Sequence, residues 1–196
     1  MEKIRQHIRS YLTDLYEIPL SKFFLYLKLS PSFITFLGFI ITCVGSYFVF
    51  TGNFLFGGII IGIGIFFDSI DGTMARISGK DGDFGNLLDS VIDRFGEGVI
   101  YLSIIGFFLY KEANKTAVIL CSITLLFSFM ISYIRAKSES LNIENKAGFF
   151  TRVERSIILV VLLIFSQPLI ALYILSIGTF FSALMRLYVG LRNAQK

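Results

Sequence analysis

Charge is what this sequence has least of. Only 16% of its 196 residues are charged, against about 25% in soluble domains. Tryptophan is absent, histidine occurs once, cysteine twice and proline three times. Cys43 and Cys121 sit in apolar runs with no CxxC, which excludes a disulfide framework and any zinc-type Cys/His cluster. His7 lies in a polar N-terminal stretch and reads as solvated. The first ~20 residues are too polar for the apolar core of a cleavable signal peptide. Apolar residues make up 55% of the chain and the mean hydropathy is +0.74. That excludes disorder and argues against a water-soluble globule.

Long uncharged runs take the place of charge. Leu29 to Phe67 are 39 consecutive positions without a charged residue, enough for two spans at about 20 residues each. The expected fold class is an all-α integral membrane protein with six transmembrane helices and an N-terminal amphipathic surface helix. The whole chain, residues 1–196, reads as a single membrane domain. Residues 1–28 mix Ile4, Ile8, Tyr11, Leu12, Leu15 and Tyr16 with Lys3, Arg5 and Arg9, a spacing that suits a helix lying on an anionic membrane surface. Residues 29–196 hold the six-helix core. Pro31 opens span one, since proline fits the first helical turn. Turn signals stand at Thr51-Gly52-Asn53 and Ser166-Gln167-Pro168.

Three spans cannot cross on uncharged residues alone. The uncharged parts of spans two, three and five are 14, 13 and 10 residues: Phe54–Phe67, Gly98–Tyr110 and Ser156–Phe165. Each approaches about 20 residues only if adjoining charges enter the helix. Those charges are Asp68, Asp71 and Arg76, then Asp89, Asp93 and Glu97, then Arg152, Glu154 and Arg155. With the N-terminus inside, the outer loops hold only Lys111 and Lys115 of the 18 Lys and Arg, which satisfies the positive-inside rule. The net charge of +4 therefore reads as topology, with no nucleic-acid partner. The charged ends of spans two, three and five then form one cavity open to the cytoplasm at the cell membrane. Charges at such depth mark a functional site.

The stretch from Asp68 to Asp93 reads DSIDGTMARISGKDGDFGNLLDSVID. On a helix, Asp68, Asp71, Gly72, Ala75 and Arg76 fall within about 140° of one another, and Gly85, Asp89 and Asp93 within about 80° on the next. A short glycine-rich loop makes the two helices antiparallel neighbours, so the carboxylates can face one another. Four carboxylates in a poorly solvated cavity need cations. An all-oxygen set selects hard divalent ions, Mg²⁺ or Mn²⁺, with Ca²⁺ also possible on chemistry alone. Two such ions form the usual clamp for phosphoryl transfer. Gly72, Ala75 and Gly85 present faces without bulk, and Arg76 is a fixed cation suited to a phosphate oxygen.

The pattern Asp-x2-Asp-Gly-x2-Ala-Arg-x8-Gly-x3-Asp-x3-Asp resembles the signature of the CDP-alcohol phosphotransferases at every fixed position. The Pro31-Ser32-Phe33-Ile34-Thr35 entry and the six-span layout are similar as well, although many members carry Asn where Ser32 stands. The resemblance implies transfer of a phosphatidyl-type group from a CDP-linked lipid to an alcohol, with release of CMP. It implies that Asp68, Asp71 and Asp89 hold two divalent metals with Asp93 contributing, and that Asp93 is the general base. It implies that Asp68, Gly72, Ala75, Arg76 and Gly85 bind the nucleotide, and that the protein is a homodimer.

A second basic cluster bears on the acceptor. Arg152 and Arg155 are i,i+3 on one helical face, with Arg135 before them and Arg186 at the inner end of span six. Arginines near a metal site suit a phosphorylated acceptor, because a guanidinium binds phosphate bidentately. Asp93-Arg94 with Glu97, Ser132 to Ala136, and Thr151 to Ile158 are similar to the inositol-phosphate-accepting members. By position, Arg135, Arg152, Arg155 and Arg186 are expected to bind the acceptor phosphate. The expected substrates are inositol 1-phosphate with CDP-diacylglycerol or CDP-archaeol. The alternative acceptor is glycerol 3-phosphate, although those synthases usually read Asp-Pro-x-Ala-Asp-Lys where this chain has Asp89 to Arg94. A divalent-cation transporter is the alternative of another class. It needs polar residues continuing to the outer face, and spans one, two and four have almost none there.

Overall fold

The computed structural model of the chain describes residues 13–79, 82–145 and 147–195. Among the described residues every regular element is helical. A π-helical turn, Thr13–Glu17, leads into α1 (Ile18–Tyr26). There follow α2 (Pro31–Thr51), α3 (Phe54–Ser78), α4 (Asp83–Tyr110), α5 (Lys115–Ser140), α6 (Arg152–Ile164) and α7 (Pro168–Ala194). Of the surface helix expected over residues 1–28, residues 1–12 lie outside the described residues; the remainder is the π-turn and α1.

The chain turns where the sequence signals turns. Gly52 and Gly79 take left-handed φ angles of 92° and 64°, the conformation glycine adopts without a Cβ penalty. Gly79 directly follows the end of α3, the usual place for a glycine stop. The Asn114 side chain accepts the Ala117 N–H at 3.1 Å and caps α5, and Pro168 stands in the first turn of α7.

Helices α2, α3, α5 and α7 are long and apolar enough to cross a membrane, consistent with a membrane protein. Helix α4 has 28 residues, about 42 Å of helix, and carries its charges between Asp83 and Glu97. Helix α6 departs from expectation. It is 13 residues long, about 20 Å, and stays well short of a ~30 Å hydrocarbon core. The cause is local. Glu154 reaches back to accept the Thr151 N–H at 2.8 Å, closing a capping box that starts the helix at Arg152. Gly148, at φ 101°, bars helix before it.

The chain packs as two compact units. One is Met1–Val44 with Ile60–Gly96, the other Gly45–Ile59 with Glu97–Lys196. In the first, fully buried Ile34, Ile70 and Met74 are packed by Leu20, Phe24, Leu25, Leu29 and Phe67. The backbones of α2 and α3 touch there: a Cβ on Gly64 would lie 2.8 Å from the Gly38 carbonyl oxygen, and one on Gly38 2.9 Å from that of Gly64. Small residues permit such an approach where no water competes for the interface. It sets Thr35, about one turn before Gly38, beside Asp71. In the second unit, Tyr101, Cys121, Leu159, Leu163, Leu172 and Leu175 are buried. The Phe150 ring lies 2.6 Å from where Gly178 would carry a Cβ, which ties the α5–α6 connection to α7.

Candidate active site

In the first unit, Asp68 and Asp71 on α3 and Asp89 on α4 each aim a carboxylate oxygen at a common point. The three oxygens lie within 4.8 Å of one another. Asp71 is buried, while Asp68 and Asp89 are half-buried. Three carboxylates this close repel one another unless a cation or protons stand between them. The donor set is all oxygen, which fits a hard divalent ion. Asp71 also accepts a short hydrogen bond from the Thr35 hydroxyl, which fixes its orientation from outside the cluster. Asp93, one turn beyond Asp89, is buried too but is not part of the converging set. One of its oxygens lies 3.5 Å from the Arg94 guanidinium.

Among the described residues, a Cβ built on Gly85 meets no atom within 4 Å, and one on Gly72 meets only the Arg76 guanidinium at 3.7 Å. The space beside both backbones is therefore available to a ligand. Arg76 is exposed and its guanidinium is anchored. It donates to the Thr73 hydroxyl at 2.8 Å, and that hydroxyl donates onward to Glu17 at 2.8 Å.

The second unit holds the expected arginines in four different states. Arg155 is 1% exposed. Its Nε and one terminal nitrogen donate to Glu97 at 2.9–3.1 Å, and its other terminal nitrogen donates to the Phe150 carbonyl at 3.3 Å. Arg186 is buried and donates to the Ala147 carbonyl at 2.9 Å and the Ile131 carbonyl at 3.0 Å. Three of its five N–H groups remain for another acceptor. Arg135 is exposed and pairs with Glu139 at 2.8 Å. Arg152 is half-buried at the start of α6. Arg135 and Arg155 lie near enough for their charges to act on Arg186.

The α5–α6 connection is held from several sides. Asn145 donates to Ser138 at 3.1 Å and to the Arg186 carbonyl at 3.0 Å. Asn193 donates to the Glu144 carbonyl at 2.8 Å. A Cβ on Gly148 would lie 2.8 Å from the Ser182 hydroxyl and 3.5 Å from the Arg186 guanidinium. Four functional partners were not singled out from the sequence: Thr35, Thr73, Glu17, and Glu97 as the mate of Arg155. The last pair is 58 residues apart, and no periodicity links such positions.

The geometry meets known proteins at this point. The chain belongs to the CDP-alcohol phosphatidyltransferase family, whose model matches residues 28–185; the protein is accordingly a transferase of phospholipid synthesis. It is 33% identical over 164 residues to the archaetidylinositol phosphate synthase of Pyrococcus horikoshii, covering 83% of this chain and 84% of that one. It is similar to the crystal structure of Mycobacterium tuberculosis phosphatidylinositol phosphate synthase with CDP-DAG bound. The TM-score is 0.84 at 25% identity, over 89% of this chain and 93% of that one. The same enzyme in complex with manganese and citrate gives 0.83 at 26% identity, over 89% and 88%.

Two outcomes follow from these contacts. Thr35→Val removes the hydroxyl that orients Asp71 and is expected to weaken Mn²⁺ binding about tenfold or more, read by calorimetry; unchanged affinity would show that Asp71 is held without it. Glu97→Ala leaves a buried guanidinium uncompensated and is expected to cost about 3–5 kcal/mol, read as a lowered unfolding temperature in detergent.

Proposed function

We propose that this protein transfers the phosphatidyl or archaetidyl group of a CDP-linked lipid to inositol 1-phosphate and releases CMP. The observation that carries this reading is the convergence of Asp68, Asp71 and Asp89 within the family motif. The named activity of the Pyrococcus relative and the CDP-DAG bound by the Mycobacterium neighbour support the donor and the acceptor class.

Asp68, Asp71 and Asp89, with Asp93 contributing, would hold two divalent ions, Mg²⁺ or Mn²⁺; when bound they supply Lewis-acid stabilisation of the charge on phosphate. Asp68, Gly72, Ala75, Arg76 and Gly85 receive the nucleotide. The Arg76 guanidinium faces a phosphate oxygen, and the bare backbone at Gly85 lets the ligand approach closely. Asp93 takes the proton from the acceptor hydroxyl, whose oxygen bonds to the phosphorus of the lipid's phosphate. The bond from that phosphorus to the bridging oxygen breaks, and its electrons leave with CMP. The acceptor's own phosphate is read by Arg135, Arg152, Arg155 and Arg186. Arg186 offers the N–H groups left over from its two carbonyl contacts, and Arg155, whose charge is matched by Glu97, contributes by holding the Phe150 carbonyl.

A homodimer and an active site open to the cytoplasm complete the reading. The distribution of Lys and Arg supports the orientation.

The test is CMP release by the purified protein with Mg²⁺ and CDP-diacylglycerol, then with CDP-archaeol. Inositol 1-phosphate, glycerol 3-phosphate, free inositol and serine are offered separately. Turnover with inositol 1-phosphate alone is expected, and its collapse in Asp93→Ala with metal still bound. Turnover only with glycerol 3-phosphate would reassign the Arg cluster to that acceptor.

A further inference from the structure

We infer that Glu17 and Thr73 are positioning residues that set the Arg76 guanidinium for the donor nucleotide. The inference rests on the nucleotide role proposed for Arg76.

The chain of contacts runs one way. The Arg76 guanidinium donates to the Thr73 hydroxyl at 2.8 Å. The hydroxyl has a single proton and gives it to the Glu17 carboxylate, also at 2.8 Å. The same Glu17 oxygen accepts the Thr13 hydroxyl at 3.0 Å. A guanidinium at one end and a carboxylate at the other polarise the hydroxyl between them, so each bond strengthens its neighbour. Thr73 is 3% exposed and stands one helical turn before Arg76, the i,i+3 spacing at which side chains meet.

Glu17 is delivered by a docked segment. Tyr16 stacks on Phe66 with ring centroids 4.9 Å apart. The buried Ser21 hydroxyl donates to the Ile70 carbonyl at 3.3 Å. Leu20, Phe24 and Leu25 pack against the buried cluster that includes Ile70 and Met74. The segment before α2 therefore follows α3 from Phe66 to Met74, and Glu17 meets Thr73 as part of that register. A long, exposed arginine has many rotamers to lose when it binds phosphate. Anchoring one terminal nitrogen removes part of that cost before the ligand arrives. The other terminal nitrogen lies toward Gly72, 3.7 Å from where that residue would carry a Cβ.

The experiment measures equilibrium binding of CDP-diacylglycerol to the full chain, so that an inactive variant still gives a value, alongside KM for inositol 1-phosphate. Thr73→Val keeps the shape and removes the hydroxyl. It is expected to weaken CDP-diacylglycerol binding about tenfold, the effect of losing a hydrogen bond to a charged group, with KM for inositol 1-phosphate unchanged. Thr73→Ser should restore binding, and Glu17→Gln should weaken it in the same direction. In an Arg76→Ala background, Thr73→Val should have no further effect, because its path to the ligand is already gone. Unchanged binding in Thr73→Val would overturn the inference, and so would a full further loss in the Arg76→Ala background. An equal loss toward both substrates would mark general damage and overturn it too. If Arg76→Ala itself binds CDP-diacylglycerol normally, the nucleotide assignment of Arg76 fails first, and that result is separable from the others.

Discussion

A buried ion pair organises the second unit. Glu97 and Arg155 are nearly removed from solvent, and each is the other's charge partner. Such a pair gains little over apolar packing but is costly to break, so its value here lies in what it fixes. With its remaining contact Arg155 holds the Phe150 carbonyl, just ahead of the capping box that starts α6. Arg186 holds the Ala147 carbonyl from the other side. Two guanidiniums thus act as cross-braces on the connection between α5 and α6.

The first unit solves a different problem with neutral hydroxyls. Asp71 is oriented by Thr35 and the Arg76 guanidinium by Thr73. Both are β-branched side chains on helices, with few rotamers and no charge to compete with a ligand. The close approach of α2 and α3 at Gly38 and Gly64 makes the first of these contacts geometrically possible. Packing and chemistry are coupled here through residues that have no side chain.

What the sequence discloses follows the range of the interaction. The acidic motif lies within 26 residues, and its spacing on two adjacent helices brings Asp68, Asp71 and Asp89 together as the helical repeat requires. The turns at Gly52, Gly79 and Ser166 were equally legible, because a turn is decided by its own few residues. The length of α6 was misjudged although its signal was present. Thr151-Arg152-Val153-Glu154 is a capping box, which outranks the argument that a span needs more residues. Thr35 to Asp71, Glu17 to Thr73 and Glu97 to Arg155 join residues far apart in the chain. Such pairs leave no periodic trace, and only the packed helices disclose them.

Gly148 has a consequence for how this protein can change. Connections between helices ordinarily absorb insertions and substitutions with little effect. Here the backbone is left-handed, and a Cβ would lie 2.8 Å from the Ser182 hydroxyl. The position is strained for every other residue, and the space around it is already taken. A stretch that looks dispensable by its place in the chain is therefore among its least permissive.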